Sequence, residues 1–201
     1  MALAEIDLPT RSSLARLLKD ATRSTHERLD KAIMDHEPFS SRERYIQFLK
    51  VQHEFHRQIH PLYGDATICA LLPSIAGDGR LGNIEHDLSD LGAETPASAT
   101  APRFVANAEM DLPAALGWLY VAEGSNLGAA FLFKEAEKLG FSSLFGARHL
   151  AAAPQGRGLQ WKTFKAELDA VELADEQEER VVSGASAAFD HVRISLAAVF
   201  S

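Results

Sequence analysis

Between Gly117 and Lys134 the chain reads GWLYVAEGSNLGAAFLFK, a helical pattern with Gly117, Gly124 and Gly128 in its interior. At about 3.6 residues per turn these three positions fall nearly on one line. Each glycine costs roughly 0.5–1 kcal/mol relative to Ala inside a helix. A helix that keeps such a stripe needs its backbone close to something. Either a second helix crosses it in a small-xxx-small contact, or a flat ligand lies against it. Tyr120, Val121, Ser125 and Phe131 border the bare strip, so a ligand there would meet aromatic, aliphatic and hydroxyl groups. The segment alone leaves both readings open.

The rest of the chain is also helical in pattern. Leu14, Leu17, Leu18, Ala21, Thr25, Leu29, Ala32 and Ile33 recur at three- and four-residue spacing, predicting a helix from about Ser13. Pro38 to Ser41 breaks it. Ser40 with Glu43 reads as a capping box for a second helix bearing Tyr45, Phe48, Leu49, Phe55 and Ile59, which Pro61 kinks or ends. A shorter helix is expected over Leu81 to Leu91, and a loop over Gly92 to Pro102. Pro113 suits the first turn of the glycine-bearing helix, which should run to about Leu139. The segment Ala151 to Gly158 reads as a loop, with two further helices after it. No alternating strand pattern and no repeat is present. The expectation is one all-α domain over residues 13–201, preceded by a flexible N-terminal segment, 1–12.

A chain of 201 residues suits a single core, and its net charge of -8 argues against nucleic acid or an anionic membrane as partner. Cys69 is the only cysteine, so no internal disulfide can form and a reducing compartment is natural. The first residues lack the basic and apolar regions of a secretory signal, and no apolar run approaches the ~20 residues of a spanning helix. These features predict a cytoplasmic protein, and nothing in them demands more than a monomer.

Eight histidines invite a metal reading, yet the common ligand spacings fail. His53-Glu54-Phe55-His56 departs from the zinc-protease motif because Arg57 stands where its second histidine belongs. No glutamate has a histidine three residues later, which removes the di-iron bundle signature. His56 and His60 are four apart but lack a completing ligand nearby. Cys69 reads as a structural thiol. No phosphate-binding glycine motif exists.

Two placements stand out. Gln52 and His56 lie in the apolar register of the second helix, where buried polar groups must be hydrogen-bonded or cost roughly 1–3 kcal/mol each. They either bond one another across a turn or line a polar pocket. His26 lies on the flank of the first helix's apolar stripe, with Lys19 two turns earlier and about 10 Å along the axis. That distance suits an imidazole on a haem iron with an ammonium reaching a propionate. A solvated helix flank explains the same two residues.

Taken together, His26 and the Gly124-Ser125-Asn126-Leu127-Gly128 run resemble the bacterial haem oxygenases, and the likeness extends from about Leu14 to Phe200. The matching stretches are THERLD around His26, EPFSSRERYIQFLKVQ, the glycine segment, FGARHLA from Phe145, and the GRG-x-x-W run ending at Trp161. The resemblance implies an all-α fold with haem b, both substrate and cofactor, between a proximal and a distal helix. His26 matches the proximal iron ligand. Gly124 and Gly128 match the distal positions where the backbone approaches the haem face. Lys19 and Tyr120 match propionate-holding positions of relatives that open the ring at the α-meso carbon, and Lys134 adds charge nearby. Gln52, His56, Arg80, Asn126 and Trp161 match a distal water network that delivers protons, with Asp30 near that network or its flank. Val121 and Ser125 complete the haem contacts, Ser125 standing where animal relatives carry an aspartate.

The implied reaction gives biliverdin, carbon monoxide and ferrous iron. With no bound flavin or nicotinamide expected, electrons would come from an external ferredoxin, flavodoxin or NAD(P)H-dependent reductase. The rival readings are a non-catalytic haem carrier or sensor on the same fold, and a related fold with thiamin-degrading or di-iron chemistry.

Overall fold

The computed structural model describes residues 13–77, 79–97 and 101–201, and among them it contains α-helices and short 3-10 turns but no strand. The segment 1–12, expected to be flexible, lies outside the described residues. The helices are α1 (Leu14–Asp35), α2 (Arg42–Ile59), α3 (Ala66–Leu71), α4 (Leu81–Asp90), α5 (Leu112–Lys138), α6 (Arg157–Ala170) and α7 (Asp175–Phe200). Among the described residues no helix is long and apolar enough to cross a membrane.

Local chemistry sets most of the boundaries. Ser13 caps α1 by accepting from Arg16 N, and Asp111 caps α5 by accepting from Ala114 N, with Pro113 in the first turn. The expected Ser40–Glu43 capping box does not form. Ser41, not Ser40, caps α2 by accepting from Arg44 N, while Ser40 Oγ donates to Glu37 O at 2.8 Å. Glu37 takes a positive φ of 46°, so Ser40 closes the turn that ends α1. Pro61 stands in a 3-10 turn, His60–Gly64, that finishes α2. Helix α3 was not expected, because six residues are too few to display a helical period. Asp65 starts it, accepting from the backbone N–H groups of Thr67 and Ile68 at 2.9 and 3.0 Å. The expected loop over Ala151 to Gly158 ends early, since α6 already begins at Arg157.

Helix α5 is the axis of the molecule. Residues Pro113 to Glu123 are buried without interruption, and α7 packs along this half. The crossing is a glycine contact. A Cβ on Gly117 would lie 2.2 Å from Val181 O and 2.5 Å from Ala185 N, and one on Gly184 would lie 2.6 Å from Ala114 O. Helix α1 leans on α7 and α6, and its start is tied to α6 by Asp169, which accepts from Ser13 Oγ and Ala15 N at 2.8 and 2.9 Å. Helices α1 and α5 touch each other hardly at all. Both pack on α7, and the second half of α5 carries the exposed apolar residues Leu127 and Phe131.

Candidate functional site

His26 projects from α1 beside α7, edge-on to the Phe189 ring at 5.8 Å, with 53% of its side chain exposed. Its Nδ1 lies 3.0 Å from Asp30 Oδ2 one turn later. That hydrogen bond raises the imidazole pKa above its ordinary value, against the opposing pull of partial burial. Asp30 thus pairs with His26 on the same helix, one turn apart. With Nδ1 engaged, Nε2 is the ring nitrogen left for a ligand.

The glycine stripe of α5 divides into two kinds of site. Gly117 is consumed by the α7 crossing. Gly124 and Gly128 are not: a Cβ on Gly128 would meet nothing within 4 Å, and one on Gly124 would find only the Trp161 ring at 3.5 Å, an ordinary contact. Both alternatives raised by the sequence are thus realised, at different points along one helix. Trp161 continues this surface, 5.4 Å from the Tyr120 ring and stacked on Phe164 at 5.5 Å. The Tyr120 hydroxyl is pushed up to about 12 by burial, with the Asp20 carboxylate adding to the rise, so it remains a donor at neutral pH. Val121 is buried next to it. Ser125 is exposed, and its hydroxyl donates to Ala122 O at 2.7 Å on its own helix. Lys19 and Lys134 are exposed cations on α1 and α5.

The remaining predicted residues gather behind the stripe in a polar interior. Asn126 is buried, and Nδ2 donates to Glu123 Oε2 at 3.2 Å. The same carboxylate accepts from Tyr63 Oη at 2.7 Å. Asn126 therefore reaches the network through Glu123. Two residues from each glycine, it points off the bare strip. Gly79 takes φ +58°, and a Cβ there would sit 2.8 Å from the Tyr63 ring, so the chain entering Arg80 runs directly over Tyr63. The guanidinium of Arg80 is then near enough to Glu123 to oppose the upward push that burial gives this carboxyl. His56 is buried with Nδ1 unpartnered, and no hydrogen bond joins it to the half-buried Gln52 among the described residues. The inert pairing of those two is not what the fold contains.

Sequence reasoning missed Glu123, Tyr63, Asp87 and His149. His149 is buried, with Nδ1 2.8 Å from Asp87 Oδ2 and Nε2 unpartnered. Asp87 also accepts from the backbone N–H groups of Arg148 and His149 at 2.9 and 3.0 Å. An ionised carboxylate only accepts, so His149 carries its proton on Nδ1 and presents Nε2 as an acceptor. One signal for Glu123 was available: it is the only charged residue between Leu112 and Phe133. Among the described residues no three His, Cys, Asp or Glu side chains are grouped to hold a metal ion. Cys69 is half-buried and its thiol donates to Tyr63 O at 3.2 Å.

Burial holds the imidazoles of His53, His56 and His149 below their ordinary pKa. Below about pH 6.5 the unfolded chain then binds more protons than the folded one, so stability falls with falling pH. Urea unfolding between pH 8 and 5 should give a flat midpoint above about pH 7. Below pH 6.5 stability should decline by up to about 1.4 kcal/mol per pH unit for each such histidine. A midpoint unchanged down to pH 5 would contradict these assignments.

The family model described as Heme oxygenase matches residues 12–196. Heme oxygenase PigA of Pseudomonas aeruginosa is 41% identical over 182 residues, which is 90% of each chain. A solved structure of the NO- and CO-bound heme oxygenase from Neisseria meningitidis superposes with a TM-score of 0.87 at 39% identity, covering 94% of this chain and 92% of that one.

Proposed function

Since the chain belongs to the haem oxygenase family, we propose that this oxidoreductase opens haem at the α-meso carbon, with His26 as iron ligand and α5 as the distal wall. The observation that carries this reading is the division of the glycine stripe. Gly124 and Gly128 weaken the helix by roughly 0.8–1 kcal/mol each, yet the protein's own packing does not require them. Their bareness serves something that lies against α5 from outside.

Haem, bound as substrate, supplies the iron that activates dioxygen, and electrons come from an external donor such as a ferredoxin, flavodoxin or reductase. The protein's part is to bind, orient and move protons. His26 offers Nε2 while Asp30 holds Nδ1, fixing the ring and making it a better donor to a metal. Lys19, Lys134 and the protonated Tyr120 hydroxyl provide charge and a hydrogen bond for propionates. Trp161 and Val121 line an apolar wall. Behind it, His56, Arg80, Asn126 and Glu123 form a reservoir of donors and acceptors, with Gln52 one turn from His56. The acidic charge and single cysteine favour a cytoplasmic setting.

Product analysis tests the reading. Purified protein given haem, a reductant and oxygen should lose the Soret band and yield biliverdin of predominantly the α isomer on chromatography. Lys19→Asn combined with Tyr120→Phe should raise the ratio of the minor to the major isomer by about tenfold, the factor that about 1.4 kcal/mol of orientational preference represents. An intact Soret band would leave a carrier, and an unchanged isomer ratio in the double variant would remove these residues from control of orientation.

A further inference from the structure

The polar interior reaches the surface at a histidine that the glycine wall does not include. His53, three residues before His56 on α2, is 3% exposed, yet its Nε2 lies 3.4 Å from Oε1 of Glu85 on α4, whose side chain is 45% exposed. The opposite ring nitrogen, Nδ1, is buried with no hydrogen-bond partner, and so is His56 Nδ1. Side chains three apart on a helix are neighbours, about 5–6 Å between Cβ atoms. His53 therefore spans the helix layer with one nitrogen at a wet carboxylate and the other inside, beside a second imidazole.

We propose that Glu85 and His53 form the proton entrance from solvent to the interior network of His56, Arg80 and Glu123. The proposal rests on the haem-opening reading, which consumes protons at the buried face. With Glu85 ionised the ring carries its proton on Nε2, facing the carboxylate; when surface water protonates Glu85 the ring takes its Nδ1–H tautomer, and the carboxyl proton passes to the freed Nε2. The proton on Nδ1 then leaves toward His56, which returns the ring to its Nε2–H form. Besides Glu85 from α4, the charged or titratable groups acting on His53 are Glu54, Arg57 and His56, all from α2. Burial keeps the ring neutral at neutral pH while Glu85 and Glu54 pull the other way, so the charged form is a transient carrier.

The test uses His53→Gln and Glu85→Gln in the full chain. Both variants should bind haem with an unchanged ferric spectrum. Each should slow single-turnover ring opening by about tenfold or more and enlarge its solvent deuterium isotope effect, with added imidazole restoring part of the His53→Gln rate. In the haem-free protein, nitrogen NMR of labelled histidine should show His53 exchanging between tautomers, and Glu85→Gln should slow that exchange. A wild-type rate and isotope effect in His53→Gln, or a His53 ring locked with its proton on Nε2, would overturn the relay. If the wild-type protein itself leaves haem intact, the function reading fails instead, and the tautomer exchange still decides whether His53 conducts protons.

Discussion

His26→Ala is expected to remove the histidine-ligated spectrum of the ferric haem complex and to lower ring-opening turnover at least about a hundredfold, equivalent to roughly 2.7 kcal/mol in the barrier. The side chain is half exposed on α1, and its close partners among the described residues are Asp30 and the edge of Phe189. Its loss should therefore cost the fold little, and the thermal midpoint should stay within a few degrees. Free imidazole should enter the vacated space and restore part of the spectrum. A ferric spectrum in His26→Ala identical to wild type would mean that another group holds the iron.

Gly117→Ala should produce the largest loss of stability among the glycine-to-alanine changes of the described residues, while Gly128→Ala should stabilise the protein. At Gly117 the new Cβ would fall 2.2 Å from Val181 O and 2.5 Å from Ala185 N, both backbone atoms of a packed helix. Neither can rotate aside, so α5 and α7 must separate along the buried half of α5. Overpacking of this kind costs about 1–3 kcal/mol and occasionally more, and the backbone clash puts this case at or above the top of that range. For a chain of this size a loss of about 3 kcal/mol lowers Tm by roughly 6–12 °C. At Gly128 the same methyl meets open space, so the helix gains roughly 0.8–1 kcal/mol and Tm rises by a few degrees. Haem affinity and turnover should fall in that stabilised variant, because the methyl occupies the bare face. Equal Tm shifts at the two positions would erase the distinction between a packing glycine and a ligand-facing one.

The helices and the site differ in how far they could be read in advance. Helices α1, α2, α4, α5, α6 and α7 follow from three- and four-residue apolar spacing and from breakers such as Pro38, information carried within one stretch of chain. Helix α3 and the exact cap of α2 were lost because each depends on one or two side chains whose competing turns differ little in energy. His26, Tyr120, Gly124, Gly128 and Trp161 were legible through a resemblance spread over separate segments. The His26–Asp30 pair was available too, because residues four apart on one helix are neighbours whatever the helix packs against.

The sequence by itself determined that the chain is all-α, that α5 carries an unusual glycine line, and which family it resembles, because these are properties of local periodicity and residue identity. Only the tertiary structure decided that Gly117 meets a helix while Gly124 and Gly128 do not. It alone brought Tyr63 to Glu123 and Asp87 to His149 across 60 and 62 residues of chain. Those outcomes depend on the angle and rotation at which helices pack. No window of sequence encodes them, and burial then converts that geometry into fixed tautomers and shifted proton affinities.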